Sequence, residues 1–581
     1  MGGGLTDRPL KFDRMDDFIM LHFIDFEVFS NDWLCVIVNP QTRTETVIVN
    51  DTEKLKQYYQ EHKNEIFVGY NIRQYDQYIF KGLLLGFNPK DVNDWIIVKD
   101  RMGWQFSDLF RNVNINIFDI MTTMHGLKTL EGFMGNNIKE TSVDFNIDRK
   151  LTTGEIAESV EYCRHDVQQT IKVFLQRKSE FDAHMGLLRA FNLPLSLVSK
   201  TKVQLSAVIL GAKKQHRNDE FDIEYPDTLK IERYKEVKRW YDNPLNRDYE
   251  QSLEIDIAGV PHIFAWGGLH GARSNYVSDG YFLNVDVASY YPSLMLRYGW
   301  GSRNCPSLDK FRQIYDTRLK LKREGKKKEQ APYKIVLNGT YGAMKDKYNP
   351  LYDPRQANNV CVGGQLLLLD LIEKLEDYCD LIQSNTDGIL VKLHRKEDCE
   401  LIKNICHEWE HRSGMVLEFD EYVKVIQRDV NNYIIVAEDG SYKSKGAVVK
   451  KLDDLDYNLP IVNEAVVNYF VRNIPIEETI LNCHELKKFQ QIVKVSSKYD
   501  HAVHGCEKLN DKTLRVFASL DFLDRGIFKV KNGKPEKFAD TPENCFIFND
   551  DVNGQTAPPK LDKSYYVTLA KKRVKQFLGE C

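Results

Sequence analysis

Four acidic side chains in the first third of the sequence have the spacing of a metal-dependent hydrolytic site. Asp25 and Glu27 lie two apart in the apolar run FIDFEVF. Residues two apart on a β-strand point to the same face. Two carboxylates side by side repel each other unless a divalent cation neutralises them. Tyr162 and Asp166 are four apart in a helical pattern, which stacks them on one helix face. Asp76 follows a strand in VGYNIRQYDQYIF, where an aspartate taken alone reads as a helix cap. Together, Asp25, Glu27, Asp76 and Asp166 could hold two Mg²⁺ ions roughly 3.5–4 Å apart, one activating a water and the other stabilising the leaving oxygen of a phosphodiester. Tyr162 would orient that water. Asp119, on the strand NINIFDI, is read as structural.

A second constellation lies further along. In NVDVASYYPSLM a strand reaches Asp286, and Ser289 and Pro292 then turn the chain into a helix. Lys334, Asn338 and Tyr341 recur at i, i+4 and i+7, one helical face, in KIVLNGTYG. Gly339 and Gly342 are poor helix residues there and suggest close approach of something flat. In LIQSNTDGILVKL two apolar arms flank Asn385-Thr386-Asp387-Gly388, a hairpin-turn signal that projects Asp387 clear of its sheet toward Asp286. Arg318 and Lys322 are also four apart, within a basic cluster that ends at Lys328.

In order along the chain, these strings resemble the motifs of one family. DFE, NIRQYD and YCRHD resemble the three exonuclease motifs of the DnaQ-like proofreading domains of family B DNA polymerases. DVASYYPS resembles that family's motif A, with Tyr290 in the usual leucine place. KIVLNGTYG resembles motif B, with Gly339 for the usual serine, and NTDG resembles motif C. In motif C, Asn385 replaces the first aspartate and Gly388 the serine, while the second aspartate, Asp387, is kept. AWGGLHG, with Gly267 and Gly268, resembles the template-contacting YxGG motif. YKSKG, with Lys443 and Lys445, resembles the lysine motif at the palm–thumb junction.

The resemblance implies a fold and a set of roles. The fold is α/β and α+β multidomain: an RNase H-like exonuclease domain plus a right-hand polymerase of palm, fingers and thumb. The implied boundaries are 17–195 for the exonuclease, 196–300 for connector and first palm segment, 301–356 for fingers, 357–440 for the second palm segment and 441–581 for thumb. Asp286, assisted by the Val287 carbonyl, and Asp387 would hold two Mg²⁺; Asp25, Glu27, Asp76 and Asp166 would hold two more, with Mn²⁺ able to substitute. Lys334, with Arg318 and Lys322, would hold triphosphate oxygens. Tyr341 and Asn338 would face the nascent base pair, and Tyr291 would gate the sugar. Gly267, Gly268, Asn71, Lys443 and Lys445 would touch DNA. The partners would be primer–template DNA and deoxynucleoside triphosphates, and the chain is expected to be a monomer. Two rival readings are an exonuclease with a decayed polymerase site and a non-catalytic DNA-binding subunit.

The elements that must position these residues are legible in outline. Strands are expected over 18–29, within 32–49, and at 65–70 and 115–120. Helices are expected over 52–62, 155–177, 308–328, 332–344, 357–380 and 396–411, with a hairpin over 381–393. Segment 223–246 reads as a linker. Protein-primed members of the family it resembles carry long insertions between these motifs; the short spans from Ser293 to Lys334 and from Gly342 to Leu381 leave little room for them, so the resemblance implies an ordinary nucleic-acid primer. The net charge of −4 means that any nucleic-acid contact must come from local clusters, such as Lys571, Lys572, Arg573 and Lys575 near the end. Eleven cysteines without CxxC spacing predict reduced thiols and no structural zinc. No apolar run is long enough for a membrane span, and Met1 to Leu10 lacks a signal-peptide core. Gly2–Gly4 read as a fusion scar. The resemblance and the short length suggest a phage or other mobile-element source acting in a host cytoplasm.

Overall fold

The computed structural model describes residues 19–580. The expectations about residues 1–18, including the glycines near the start and the first residues of the first domain, lie outside the described residues. The chain forms two compact units: residues up to Lys200 with Leu452–Leu459 and His484–Asp562, and Thr201–Lys451 with Pro460–Cys483 and the C-terminal stretch from Lys563. The class is the mixed α/β, multidomain one that was expected. No helix among the described residues is long and apolar enough to cross a membrane.

The first unit is built on a sheet of β1 (Leu21–Val28), β2 (Trp33–Asn39), β3 (Thr44–Val49), β4 (Ile66–Gly69) and β5 (Ile117–Asp119), in the order β3-β2-β1-β4-β5. β1 pairs antiparallel with β2 and parallel with β4. β1 is covered on both faces, which is why its sequence is apolar on both. Phe26 packs toward Phe80 at 5.7 Å on one face, and Phe23 toward Phe174 of the helix Thr153–Gln176 at 5.2 Å on the other. The alternation puts Asp25 and Glu27 on the Phe23 face, toward that long helix. The helix starts from a reciprocal cap between Thr152 and Glu155.

The C-terminal region departs from expectation. The stretch 441–581, read as one thumb, is divided between the units, because 484–562 is bonded to the first one. The buried Arg515 guanidinium donates to the carbonyls of Gly132 and Asn136, the latter at 2.7 Å. Gln490 donates to the Phe133 carbonyl, and the Glu140 carboxylate accepts from the backbone N–H groups of Lys512 and Thr513, both at 3.0 Å. Buried backbone groups need such partners, and these lie more than 350 residues away in sequence.

The second unit holds a nine-stranded sheet. Its strands are β6 (Ser252–Ile257), β7 (Val260–Ala265), β8 (His270–Ala272), β9 (Tyr276–Val287), β10 (Cys379–Asn385), β11 (Gly388–Leu393), β12 (Leu417–Asp429), β13 (Asn432–Val436) and β14 (Tyr442–Lys445). They run in the order β14-β13-β12-β9-β11-β10-β8-β7-β6. The helix Pro354–Leu375 is buried along almost its whole length. The helices Asp309–Arg323 and Lys327–Lys345 pack on each other across a turn with Gly325 at φ 71°. The second of these starts five residues before Pro332, which was expected to open it, and carries that proline buried inside. Segment 223–246 is not a linker. Its backbone is strapped onto the buried helix, with the N–H groups of Lys230 and Glu232 each 2.8 Å from the carboxylates of Asp370 and Glu373, and it carries the helix Lys235–Asp242.

Candidate active sites

In the first unit the four expected acids converge. Glu27, Asp76 and Asp166 are buried, and Asp25 is partly so. Burial first, and then the charges of Asp76 and Asp166, push Asp25 well above the usual carboxylate range. Glu27 moves the same way, from burial and then the charges of Asp25 and Asp166. Burial alone accounts for most of the rise of Asp76 to about 7, against opposing backbone hydrogen bonds, one of them from the Phe26 N–H at 3.3 Å. Burial raises Asp166 to about 6 even though a lysine sits against it. The Cys163 thiol, one residue after Tyr162, donates to the Asp25 carbonyl at 3.4 Å.

That lysine is Lys128, which the sequence reading missed. Its ammonium contacts Asp166, lies 3.1 Å from Glu131 and sits 4.6 Å over the Tyr162 ring. Glu131 is fully buried and also meets His165 at 3.3 Å. The available signal was the i, i+3 pair Lys128 and Glu131 inside the apolar helix Leu127–Phe133. Asp119 has the structural role expected of it. Its carboxylate accepts from the N–H groups of Asn71, Arg73 and Met121 at 2.9–3.0 Å. This network holds Asn71 at φ 63°, immediately before the helix that Asp76 opens.

In the second unit the strand and the hairpin meet. Asp286 on β9 pairs with Gly388, the first residue of β11, and the Val287 N–H donates to the Asp387 carbonyl at 2.7 Å. Burial first, and then the charge of Asp387, raise Asp286 to about 6, against a hydrogen bond from Asn284 at 2.6 Å. A Cβ on Gly388 would fall 2.0 Å from Asp286 Oδ1 and 2.8 Å from the Val285 carbonyl, so the glycine leaves room for the carboxylate. Gly268 plays a related part: a Cβ there would lie 2.6 Å from Thr386 Oγ1, so its loop packs directly on the hairpin turn. Gly267 faces open space.

Around these acids stand the expected cations and rings. Ser289 takes a left-handed conformation, φ 52°, and its hydroxyl accepts from Arg318 Nη1 at 2.6 Å. Tyr290 is buried, with its hydroxyl donating to the Gly364 carbonyl at 2.7 Å. Tyr291 instead lies against Tyr341, ring centroids 4.3 Å apart. Lys334 and Asn338 are exposed on the same helix face as Tyr341. Lys322 and Lys443 are ion-paired with Glu418 and Asp420 of β12, at 2.7 and 2.8 Å, while Lys445 is exposed. Glu418 is a further residue the sequence reading missed. It stands directly opposite Asp286 across the antiparallel pair, and Asp420 opposite Asn284, so β12 lines the same face with acids.

No protein-family model matches the chain. DNA polymerase 1 of Saccharolobus solfataricus is 26% identical over 210 residues, 36% of this chain and 21% of that protein. DNA polymerase 1 of Sulfurisphaera ohwakuensis is 25% identical over 198 residues, 33% of this chain and again 21% of the relative. Over about a third of its length the chain is thus similar in sequence to these two DNA polymerases. It matches only about a fifth of the length of those curated relatives. Seventy-six residues are 41% identical to the uncharacterized mitochondrial protein ymf34 of Marchantia polymorpha, covering 96% of it, so the chain shares a family with that protein. The structure of the family B DNA polymerase from Pyrobaculum calidifontis aligns at 15% identity with a TM-score of 0.42, over 96% of this chain and 78% of that one.

The residues of both acid clusters fit a divalent metal ion. Asp25, Glu27 and Asp286 are desolvated oxygen donors whose pKa values rise because burial and neighbouring acids oppose their charge, and the exposed Asp387 adds a further carboxylate beside Asp286. Hard cations of the Mg²⁺ class take such donors. In the first unit Lys128 pairs with Asp166, and Asp25, Glu27 and Asp76 have no cation bonded to them among the ion pairs of the described residues.

Proposed function

We propose that the chain is a template-directed DNA polymerase that extends a primer 3′-OH with deoxynucleoside triphosphates and carries a 3′→5′ proofreading exonuclease in its first unit. The observation that carries this reading is the juxtaposition of Asp286 with the Asp387 turn, beside a helix face bearing Lys334, Asn338 and Tyr341. In the reaction, the primer hydroxyl attacks the α-phosphate and pyrophosphate leaves.

Asp286, the Val287 carbonyl and Asp387 would hold Mg²⁺ in the polymerase site, and Asp25, Glu27, Asp76 and Asp166 in the exonuclease site. Divalent metal held there would lower the pKa of the attacking hydroxyl or water and offset charge on the phosphorus oxygens. Lys334 reaches the triphosphate as an exposed cation. Arg318, fixed by Ser289, adds positive potential at the same end. Tyr291 and Tyr341 form an aromatic floor beneath the nucleotide. Lys443, held by Asp420, and Lys445 lie on an edge strand suited to duplex phosphates. In the exonuclease site Tyr162 and the Lys128 ammonium orient the water and the scissile phosphate.

The order of the first sheet, three antiparallel strands followed by two parallel ones, supports the RNase H-like reading of that unit. The helix pair Asp309–Arg323 and Lys327–Lys345 corresponds to the fingers, and the nine-stranded sheet to the palm. The test is a labelled primer–template with Mg²⁺. Extension is expected when nucleotides are present and shortening when they are withheld. Shortening without extension would reduce the chain to an exonuclease, and neither activity would refute the reading.

A further inference from the structure

The first unit contains a second group of convergent ligands with a different chemistry. His22 lies on β1 but, by strand alternation, on the face opposite Asp25 and Glu27. His62 ends the helix Thr52–His62, and Glu65 follows in the tight turn before β4, its N–H donating to the His62 carbonyl at 2.9 Å. His22 Nε2 and His62 Nδ1 both contact the same carboxylate oxygen, Glu65 Oε2, the latter at 2.9 Å. These three donor atoms all lie within 4.8 Å of one another. The Tyr58 hydroxyl holds the other nitrogen of His22 at 2.7 Å. His22 is almost fully buried, yet the cluster opens on a cavity of about 630 Å³ that Thr44, Lys54 and Glu61 also line.

We propose that His22 Nε2, His62 Nδ1 and Glu65 bind a divalent transition metal of the zinc class, with its remaining position open to water from this cavity. Two imidazoles and one carboxylate make a borderline-soft donor set, which suits zinc and its neighbours and not Mg²⁺ or Ca²⁺. Three protein ligands with one open position is a known zinc arrangement. The ligands would have to part slightly, because zinc bonds of about 2.0–2.2 Å hold donor atoms further apart than a hydrogen bond does. Neither ring has to lose a proton. His22 moves its proton from Nε2 to Nδ1, where it donates to Tyr58, and His62 moves its proton from Nδ1 to Nε2. Tyr58 then serves as the outer partner that fixes the His22 ring. The ion would tie the helix Thr52–His62 to β1 and the start of β4, two neighbouring strands of the sheet that carries Asp25 and Glu27.

The test uses the full chain, stripped of metal and titrated with Co²⁺ in excess Mg²⁺, so that the acid clusters are occupied by the hard ion. A visible Co²⁺ band is expected that saturates at a single equivalent and disappears on addition of Zn²⁺. His62→Ala and Glu65→Gln, both at partly exposed positions, should each abolish it with an unchanged far-ultraviolet circular dichroism spectrum. Asp25→Asn should leave it intact. The proposal is overturned if the unaltered chain gives no such band, or if the band survives in His62→Ala and Glu65→Gln.

Discussion

The ring of Tyr291 lies 4.3 Å from that of Tyr341, whereas its neighbour Tyr290 is buried and tied to the Gly364 carbonyl. Two adjacent tyrosines that share a string in sequence therefore have different surroundings. Tyr291 belongs to an aromatic pair with Tyr341, and Tyr290 to the packing against the helix Pro354–Leu375.

Sugar selection should follow that division. Tyr291→Ala removes the ring that would fill the space of a ribose 2′-OH. Ribonucleotide insertion should rise about ten- to a hundredfold relative to deoxynucleotide, matching a steric term of about 1–3 kcal/mol. Tyr290→Ala should leave selection unchanged and cost about 3–5 kcal/mol of stability, the range for emptying a buried aromatic site. Single-nucleotide insertion kinetics and denaturant melts read both. Relaxed selection in Tyr290→Ala alone would shift the motif A register by one residue.

The two activities should separate genetically. Asp25→Ala combined with Glu27→Ala removes two of the converging acids of the first unit and touches nothing on β9 or the hairpin. Degradation of single-stranded primers should fall to background while extension persists. Wild-type shortening by the double variant would defeat the exonuclease assignment.

The buried acids also predict a pH-dependent stability in metal-free protein. Asp76 rises from about 3.8 to about 7 on folding, and Asp166 to about 6. A carboxyl with a raised folded pKa binds its proton more tightly in the native state. Its stabilising contribution is complete below the unfolded value and is lost as pH rises through the folded one. In EDTA, Asp76→Asn should therefore melt above wild type at pH 8, with the difference shrinking toward pH 5. Mg²⁺ should raise the melting temperature of the wild type more than that of the variant. An equal loss of stability in Asp76→Asn at both pH values would show that the aspartate is a structural cap.

Much of this was legible locally. The helix Thr52–His62 was read at the bounds observed, and in the structure Asp51 caps its start by accepting from the Lys54 N–H at 2.9 Å. The hairpin around Asp387 followed from a short polar turn between apolar arms. What stayed hidden depends on partners distant in sequence. Lys128 acquires its place from Asp166, 38 residues on. Glu418 faces Asp286 only through strand register. The segment 484–562 left the expected thumb because Arg515 and Gln490 find their acceptors near Gly132, and no local pattern encodes that.

The central claim is that Asp286 and Asp387 together perform nucleotide addition, and one measurement tests it most directly. A labelled primer–template is given the complementary nucleotide and Mg²⁺, with unaltered protein and with Asp387→Asn assayed side by side. The unaltered protein should add that nucleotide and reject the other three. Asp387→Asn should bind the same DNA, add nothing, and still shorten the primer when nucleotides are absent. Template-directed addition at an undiminished rate by Asp387→Asn, or no addition by the unaltered protein, would contradict the account.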